Sequence, residues 1–219
     1  MSAKPSVYLI PGLGADKRMY LPQLAVWPHA RVLEHVYPIT GQTLADYAER
    51  LIPLINTREP FIIIGTSLGG MVAIELAAKL KPHKTILLAS VKSREELPLF
   101  IRSMKLLKLH KLLSGNTFKK FNELAAERLN SRGDAAIAAL IKQMADDTDP
   151  DFIEWAINAV INWQPPAVES PVIHIHGDND MLFPISRIKN ALPVAGGSHV
   201  MNLSQSEAVN SLLLQALAG

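Results

Sequence analysis

Cysteine is absent from all 219 residues. That removes disulfides, thiol nucleophiles and thiolate metal sites, and it points to a reducing, cytoplasmic setting. Long apolar runs are missing as well: no stretch approaches the ~18 residues of a membrane-spanning helix. Lys4 precedes the run Val7 to Ile10, but Pro11 cuts that run short of a signal-peptide core. A soluble chain with no integral membrane segment is expected. Nor is there an excess of one charge, since the net value of +2 gives no general surface for nucleic acid. Internal repeats and low-complexity segments are also lacking. The apolar share of 48% suits one globular domain, or one domain with an insertion.

Against these absences stands one informative stretch, Phe61-Ile-Ile-Ile-Gly-Thr-Ser-Leu-Gly-Gly-Met-Val-Ala-Ile-Glu-Leu76. Four apolar residues stop at Gly65, and after Gly70 apolar positions recur at helical spacing: a buried strand, a tight turn, a helix. Ser67 sits at the turn with Gly65 and Gly69 two residues to either side, the G-x-S-x-G pattern of a nucleophile elbow. A serine becomes a useful nucleophile when a sharp turn lifts it from the sheet toward a base. The helix that follows aims free N–H groups at the place where an oxyanion forms. Gly69-Gly70 is followed by Met71 and no Lys-Ser/Thr pair, which excludes a phosphate loop.

Along the chain, strands are expected at Val7 to Ile10, Arg31 to Val36, 61 to 65, Lys84 to Ser90, Pro171 to His176 and Leu192 to Ala195. Helices fall between them, one through Met19 to Val26 and one capped by Thr43 with Asp46 at the capping-box position. This alternation gives an α/β class: a doubly wound, mostly parallel sheet. From 92 to about 164 strands disappear and four helical segments follow, at 97–113, 116–130, 133–146 and 150–162. The division is therefore a core of 1–91 and 165–219 with a helical lid insertion of 92–164, at an edge where it can cover a site.

Between Lys92 and Lys120 there are eight Lys or Arg against two acids, Glu95 and Glu96. This is either a solvated helix face or an attractor for anionic substrates or a lipid surface. Phe100, Met104, Leu107, Phe118, Phe121, Trp155 and Trp163 are candidates to line an apolar acyl pocket, or to pack the lid helices together.

The fifth strand runs into His174-Ile-His-Gly-Asp-Asn-Asp-Met-Leu-Phe-Pro184, which puts two carboxylates at its carboxyl end. Asp180 is the candidate acid and Asp178, a natural turn residue, its competitor. Gly196-Gly-Ser-His199 places His199 on a glycine loop before the last helix, within reach of Ser67 as general base. His29, His35, His83 and His110 lie near turns or charged helix faces and are expected to be solvated. His174 and His176 alternate on a strand and suit packing or loop bracing. The pattern His174-x-His176-x-Asp178-x-Asp180 superficially resembles a metal-binding strand end, but such sites need further ligands downstream, where His199 is the only histidine. No metal or organic cofactor is called for.

The order Ser67, Asp180, His199 is nucleophile, acid, base. The backbone N–H groups of Leu13, in the first glycine loop, and Leu68 would form the oxyanion hole. With these residues the chain resembles the α/β-hydrolase superfamily. The elbow is matched by Gly65-Thr-Ser67-Leu-Gly69, the acid loop by Gly177-Asp-Asn-Asp180 and the histidine loop by Gly197-Ser-His199. Pro11-Gly12 stands where the family's oxyanion loop usually reads His-Gly, so a side chain that often braces the loop is missing. The first strand resembles the family's third, so a small sheet without the N-terminal antiparallel hairpin is expected. The resemblance implies a serine hydrolase of carboxylic esters acting on small-molecule substrates. A receptor or scaffold of the same fold, and cleavage of thioester, lactone, amide or carbon–carbon bonds, are the alternatives. Oligomeric state is not legible.

Overall fold

The computed structural model describes residues 5–107 and 134–218. Six strands form one sheet: β1 (Ser6–Ile10), β2 (Arg31–Val32), β3 (Phe61–Thr66), β4 (Lys84–Leu88), β5 (Val172–Gly177) and β6 (Ala191–Val194). Their order is β2-β1-β3-β4-β5-β6, and every pairing is parallel. The chain starts inside the sheet, runs to one edge and returns to build the other. The connections leaving β1 and β3 therefore diverge, and that switch point at the carboxyl ends is where such sheets bind ligands.

Strand alternation divides the core between two faces. Phe61 and Ile63 pack on one side with Tyr8, Ile10 and Leu87, under α2 (Leu44–Leu51) and α3 (Leu68–Leu80). Ile62 and Ile64 pack on the other with Leu9, Ile86 and Ile175, under α1 (Leu21–Val26) and the C-terminal pair α7 (Met201–Ser204) and α8 (Ser206–Ala218). All six residues of β3 are buried. Each such aliphatic side chain contributes roughly 1.5–3 kcal/mol by leaving water, so the strand that ends at Ser67 is among the best anchored. α2 starts as its sequence dictates: Thr43 Oγ1 accepts the Asp46 N–H and Asp46 accepts the Thr43 N–H, a complete capping box.

The helical insertion lies between β4 and β5, with α4 (Leu99–Leu107), α5 (Ala135–Asp147) and α6 (Pro150–Asn162) described. The segment expected at 116–130 and the end of that expected at 97–113 lie outside the described residues. α5 reaches the 3-10 turn Lys17–Tyr20 through Arg18 and Asp147, 2.6 Å apart. α6 packs on α2 and ends at Trp163, where Arg94 donates to the Trp163 carbonyl at 2.9 Å. A cation at that end suits the helix dipole.

The second strand is shorter than the sequence suggests. Its regular pairing covers Arg31 and Val32, and after one more sheet bond, from the Leu33 N–H to the Leu9 carbonyl, the chain departs. The Val36 N–H turns instead to the Tyr47 hydroxyl at 3.1 Å. β4 likewise stops at Leu88 rather than Ser90, because Ala89 takes φ 45°.

Candidate active site

Ser67 stands between β3 and α3 with φ 52° and ψ −119°. A non-glycine residue there is strained by of order 1–3 kcal/mol and persists only when its surroundings force it. They do so through close backbone packing. A Cβ on Gly65 would collide with the backbone of Gly69, and one on Gly69 with the carbonyls of Ile10 and Pro11. The Ser67 N–H bonds to the Leu88 carbonyl at 3.0 Å, and the Ser90 hydroxyl donates to the Ser67 carbonyl at 2.6 Å.

Ser67, His199 and Asp180 meet in one line. His199 Nε2 is 2.9 Å from Ser67 Oγ, and Nδ1 is 2.8 Å from Asp180 Oδ2. A carboxylate only accepts, so Nδ1 carries the proton and Nε2 is left to accept from the serine hydroxyl. Asp180 is fixed from its other oxygen, which accepts the N–H groups of Leu182 and Phe183 at 2.9 Å each. His176 Nε2 donates to the Phe183 carbonyl at 2.8 Å and lies 3.3 Å from Asp180 Oδ2. Burial would raise the Asp180 carboxyl, but His199 beside it and the bonds from His176, His199 and Phe183 hold it well below the usual carboxylate range. The edge of Phe183 meets the His199 ring, their centres 5.3 Å apart. Asp178 is exposed and apart from this line, its N–H bonded to the Val194 carbonyl.

The first glycine loop lies against the serine: a Cβ on Gly12 would sit 3.3 Å from Ser67 Cβ. Gly12 also donates its N–H to Met19 Sδ at 3.3 Å. Leu13 follows it, and Leu68 opens α3, where a first-turn N–H has no intrahelical acceptor. Among the described residues no group of three or more His, Asp or Glu is arranged to hold a metal ion.

The other histidines separate into three kinds. His29 and His83 are exposed, while His110 lies outside the described residues. His35, expected to be solvated, is instead half-buried and held at both nitrogens, by the Tyr47 hydroxyl at 3.1 Å and the Gly12 carbonyl at 3.0 Å. The reason is the early departure of the chain from β2, which turns this residue inward. Burial takes its pKa down to about 4. Sequence spacing gave no signal for it, because its partners are distant in the chain. His174 is buried with neither ring nitrogen partnered, and burial, with Lys92 and His176 nearby, lowers it to about 3.

Of the proposed pocket residues, Phe100 is exposed, and the side chains of Met104, Leu107, Phe118 and Phe121 lie outside the described residues. Trp155 packs on Tyr47, ring centres 4.5 Å apart, and donates to the Gln42 carbonyl, whereas Trp163 is buried and donates to Glu75 at 2.7 Å. Both border a cleft of about 760 Å³ between segment 37–45, which runs into α2, and α6. Ser67, Leu13 and His199 do not line it. Within the basic cluster, Arg94 serves the carbonyls at the end of α6 and Lys92 the Lys189 carbonyl, while Lys108, Lys111, Lys119 and Lys120 lie outside the described residues.

No helix among the described residues is long and apolar enough to cross a membrane. The fold is shared with solved structures of low sequence identity. An enol-lactonase from Burkholderia xenovorans LB400 aligns with a TM-score of 0.77 at 18% identity, over 100% of this chain and 93% of that one. MenH from S. aureus aligns at 0.78 and 14% identity, over 100% and 95%. A thermophilic esterase from Thermogutta terrifontis aligns at 0.70 and 18% identity, over 100% and 91%. None of the curated proteins compared with the chain matches it. The sequence pattern described as the Alpha/beta hydrolase family matches residues 7–212, which spans both halves of the sheet and the insertion, and the chain belongs to that family.

Proposed function

We propose that the chain is a serine hydrolase of carboxylic esters, with Ser67 as nucleophile, His199 as general base and Asp180 as the acid that orients it. The observation that carries this reading is His199, within 2.9 Å of Ser67 Oγ and 2.8 Å of Asp180. His199 Nε2 takes the serine proton as Oγ attacks the acyl carbon, and the carbonyl oxygen gains charge between the N–H groups of Leu13 and Leu68. Nε2 then protonates the departing alcohol, leaving an acyl serine. Water repeats the sequence: His199 takes its proton, the acid leaves, and Oγ recovers the hydrogen. Asp180 stays ionised throughout, consistent with a carboxyl held low by its neighbours.

Small ester substrates, cyclic esters among them, suit this scheme, and the likeness in fold to an esterase and an enol-lactonase is compatible with it. Segment 92–164 is assigned as the lid. Its α5 packs against the 3-10 turn Lys17–Tyr20 that follows the first glycine loop, and its α6 against α2. Labelling by a fluorophosphonate, with p-nitrophenyl ester turnover over several acyl lengths, tests the reading on wild type and Ser67→Ala. Labelling and turnover in wild type, both lost in the variant, are expected. A folded wild type that neither labels nor turns over would overturn it in favour of a binding role.

A further inference from the structure

The carbonyl of Gly12 and the N–H of Leu13 belong to one peptide unit. That unit is planar and trans, so the two point in opposite directions and whatever fixes the carbonyl also fixes the N–H. Two donors fix it here. The Ala15 N–H bonds to the Gly12 carbonyl at 3.2 Å, closing a turn in which Gly14 takes φ 72°. His35 Nε2 reaches the same carbonyl at 3.0 Å. A carbonyl only accepts, so Nε2 carries the proton and Nδ1 is an acceptor. The Tyr47 hydroxyl, 3.1 Å from Nδ1, suits that tautomer by donating to the ring while accepting the Val36 N–H at 3.1 Å.

The donors of this chain all run one way, from Val36 through Tyr47 and His35 to the Gly12–Leu13 peptide. Hydrogen bonds in series polarise one another by about 10–30% per bond, which makes the last N–H a stronger donor. Packing holds the relay in place from the insertion side. Phe152 of α6 lies on the His35 ring with centres 4.5 Å apart, and Trp155 lies on Tyr47. A depressed pKa, about 4 through burial, keeps the imidazole neutral and the tautomer fixed near pH 7.

We propose that His35, oriented by Tyr47 and clamped by Phe152, is a positioning residue that aims the Leu13 N–H at the oxyanion. It supplies from beyond β2 the brace that Pro11 cannot provide within the loop. It also ties the oxyanion donor to the seating of α6. This inference rests on the hydrolase reading of the site.

The test measures p-nitrophenyl butyrate turnover per active site, titrated with a fluorophosphonate, in wild type, His35→Ala, His35→Gln and Tyr47→Phe. Phenylboronic acid inhibition is measured alongside, because its tetrahedral serine adduct places an oxygen in the hole. Loss of a whole oxyanion donor lowers kcat by about 10²–10³, so a misaimed one in His35→Ala is expected to lower it about tenfold, with KM held within about twofold. Boronate affinity falls by the same factor, and His35→Gln, whose amide can still donate to Gly12, recovers part of both. A purely structural residue would lower the titrated fraction of active sites and leave kcat per site alone. Unchanged kcat per site and boronate affinity in His35→Ala overturn the proposal. Should that variant fail to fold, the same result in Tyr47→Phe, which keeps the ring and frees Nδ1, overturns it. A wild type with neither labelling nor turnover overturns the hydrolase reading itself, and so is distinct from failure of the brace.

Discussion

At the scale of single residues, two aspartates two positions apart have opposite fates. Asp180 is buried, bonded to His199 and fixed by two backbone N–H groups, whereas Asp178 is exposed. Asp180→Asn keeps the shape but offers His199 Nδ1 a choice of amide groups, so the tautomer that leaves Nε2 free to accept loses its support. Ester kcat is expected to fall by about 10³–10⁴, while Asp178→Asn stays within a few fold. Steady-state kinetics on the two variants decide it, and the reverse pattern would move the acid to Asp178. Which aspartate meets His199 was only partly legible from sequence, since both suit a turn. The difference lies in what the backbone at 182–183 can reach, which only the folded loop fixes.

At the scale of elements, the elbow depends on contacts that are backbone on both sides. Gly69 lies against the carbonyls of Ile10 and Pro11, which no side-chain rotation can relieve. Gly69→Ala must separate β1 from α3 or shift the turn, and either displaces Ser67 from His199. A destabilisation of about 1–3 kcal/mol, the usual range for overpacking, is expected in urea titration, with ester turnover reduced about a hundredfold or more by misplacement of the nucleophile. Wild-type turnover in that variant would mean the strained turn is not needed. This element was legible because its chemistry is local: strand, glycines, serine and helix are contiguous, as is the capping box from Thr43 to Asp46. The end of β2 was not. Arg31 to Val36 carries a strand-like apolar pattern, yet Val36 finds a better acceptor in a tyrosine eleven residues on. His35, expected to be solvated, is held inward for the same reason, and its bond to Gly12 across 23 residues leaves no periodic trace.

At the scale of the whole molecule, the buried ionisable groups set how the fold responds to acid, in two windows of opposite origin. His35 and His174 have folded pKa values lowered to about 4 and about 3, in both cases chiefly through burial. Unfolded histidine binds a proton near pH 6.5. Between pH 6.5 and 4 the unfolded chain therefore takes up protons that the fold refuses, and stability falls as pH falls. Asp180 acts lower down: its depressed carboxyl contributes stability that is intact above the unfolded value near 3.9 and is lost only in stronger acid. At pH 5 the histidine window is open and the Asp180 window is still closed. Each histidine there weakens the fold by roughly 2 kcal/mol relative to pH 7 or above. His174 has no hydrogen-bond partner to lose and faces Leu87 across the strand pair, so His174→Leu can be made without breaking a bond. Urea unfolding at pH 7 and pH 5 should show the wild type losing stability on acidification and His174→Leu losing about half as much. An identical loss in the two proteins would mean that His174 is protonated in the folded state, and the acid response would then have to come from His35 and the surface alone.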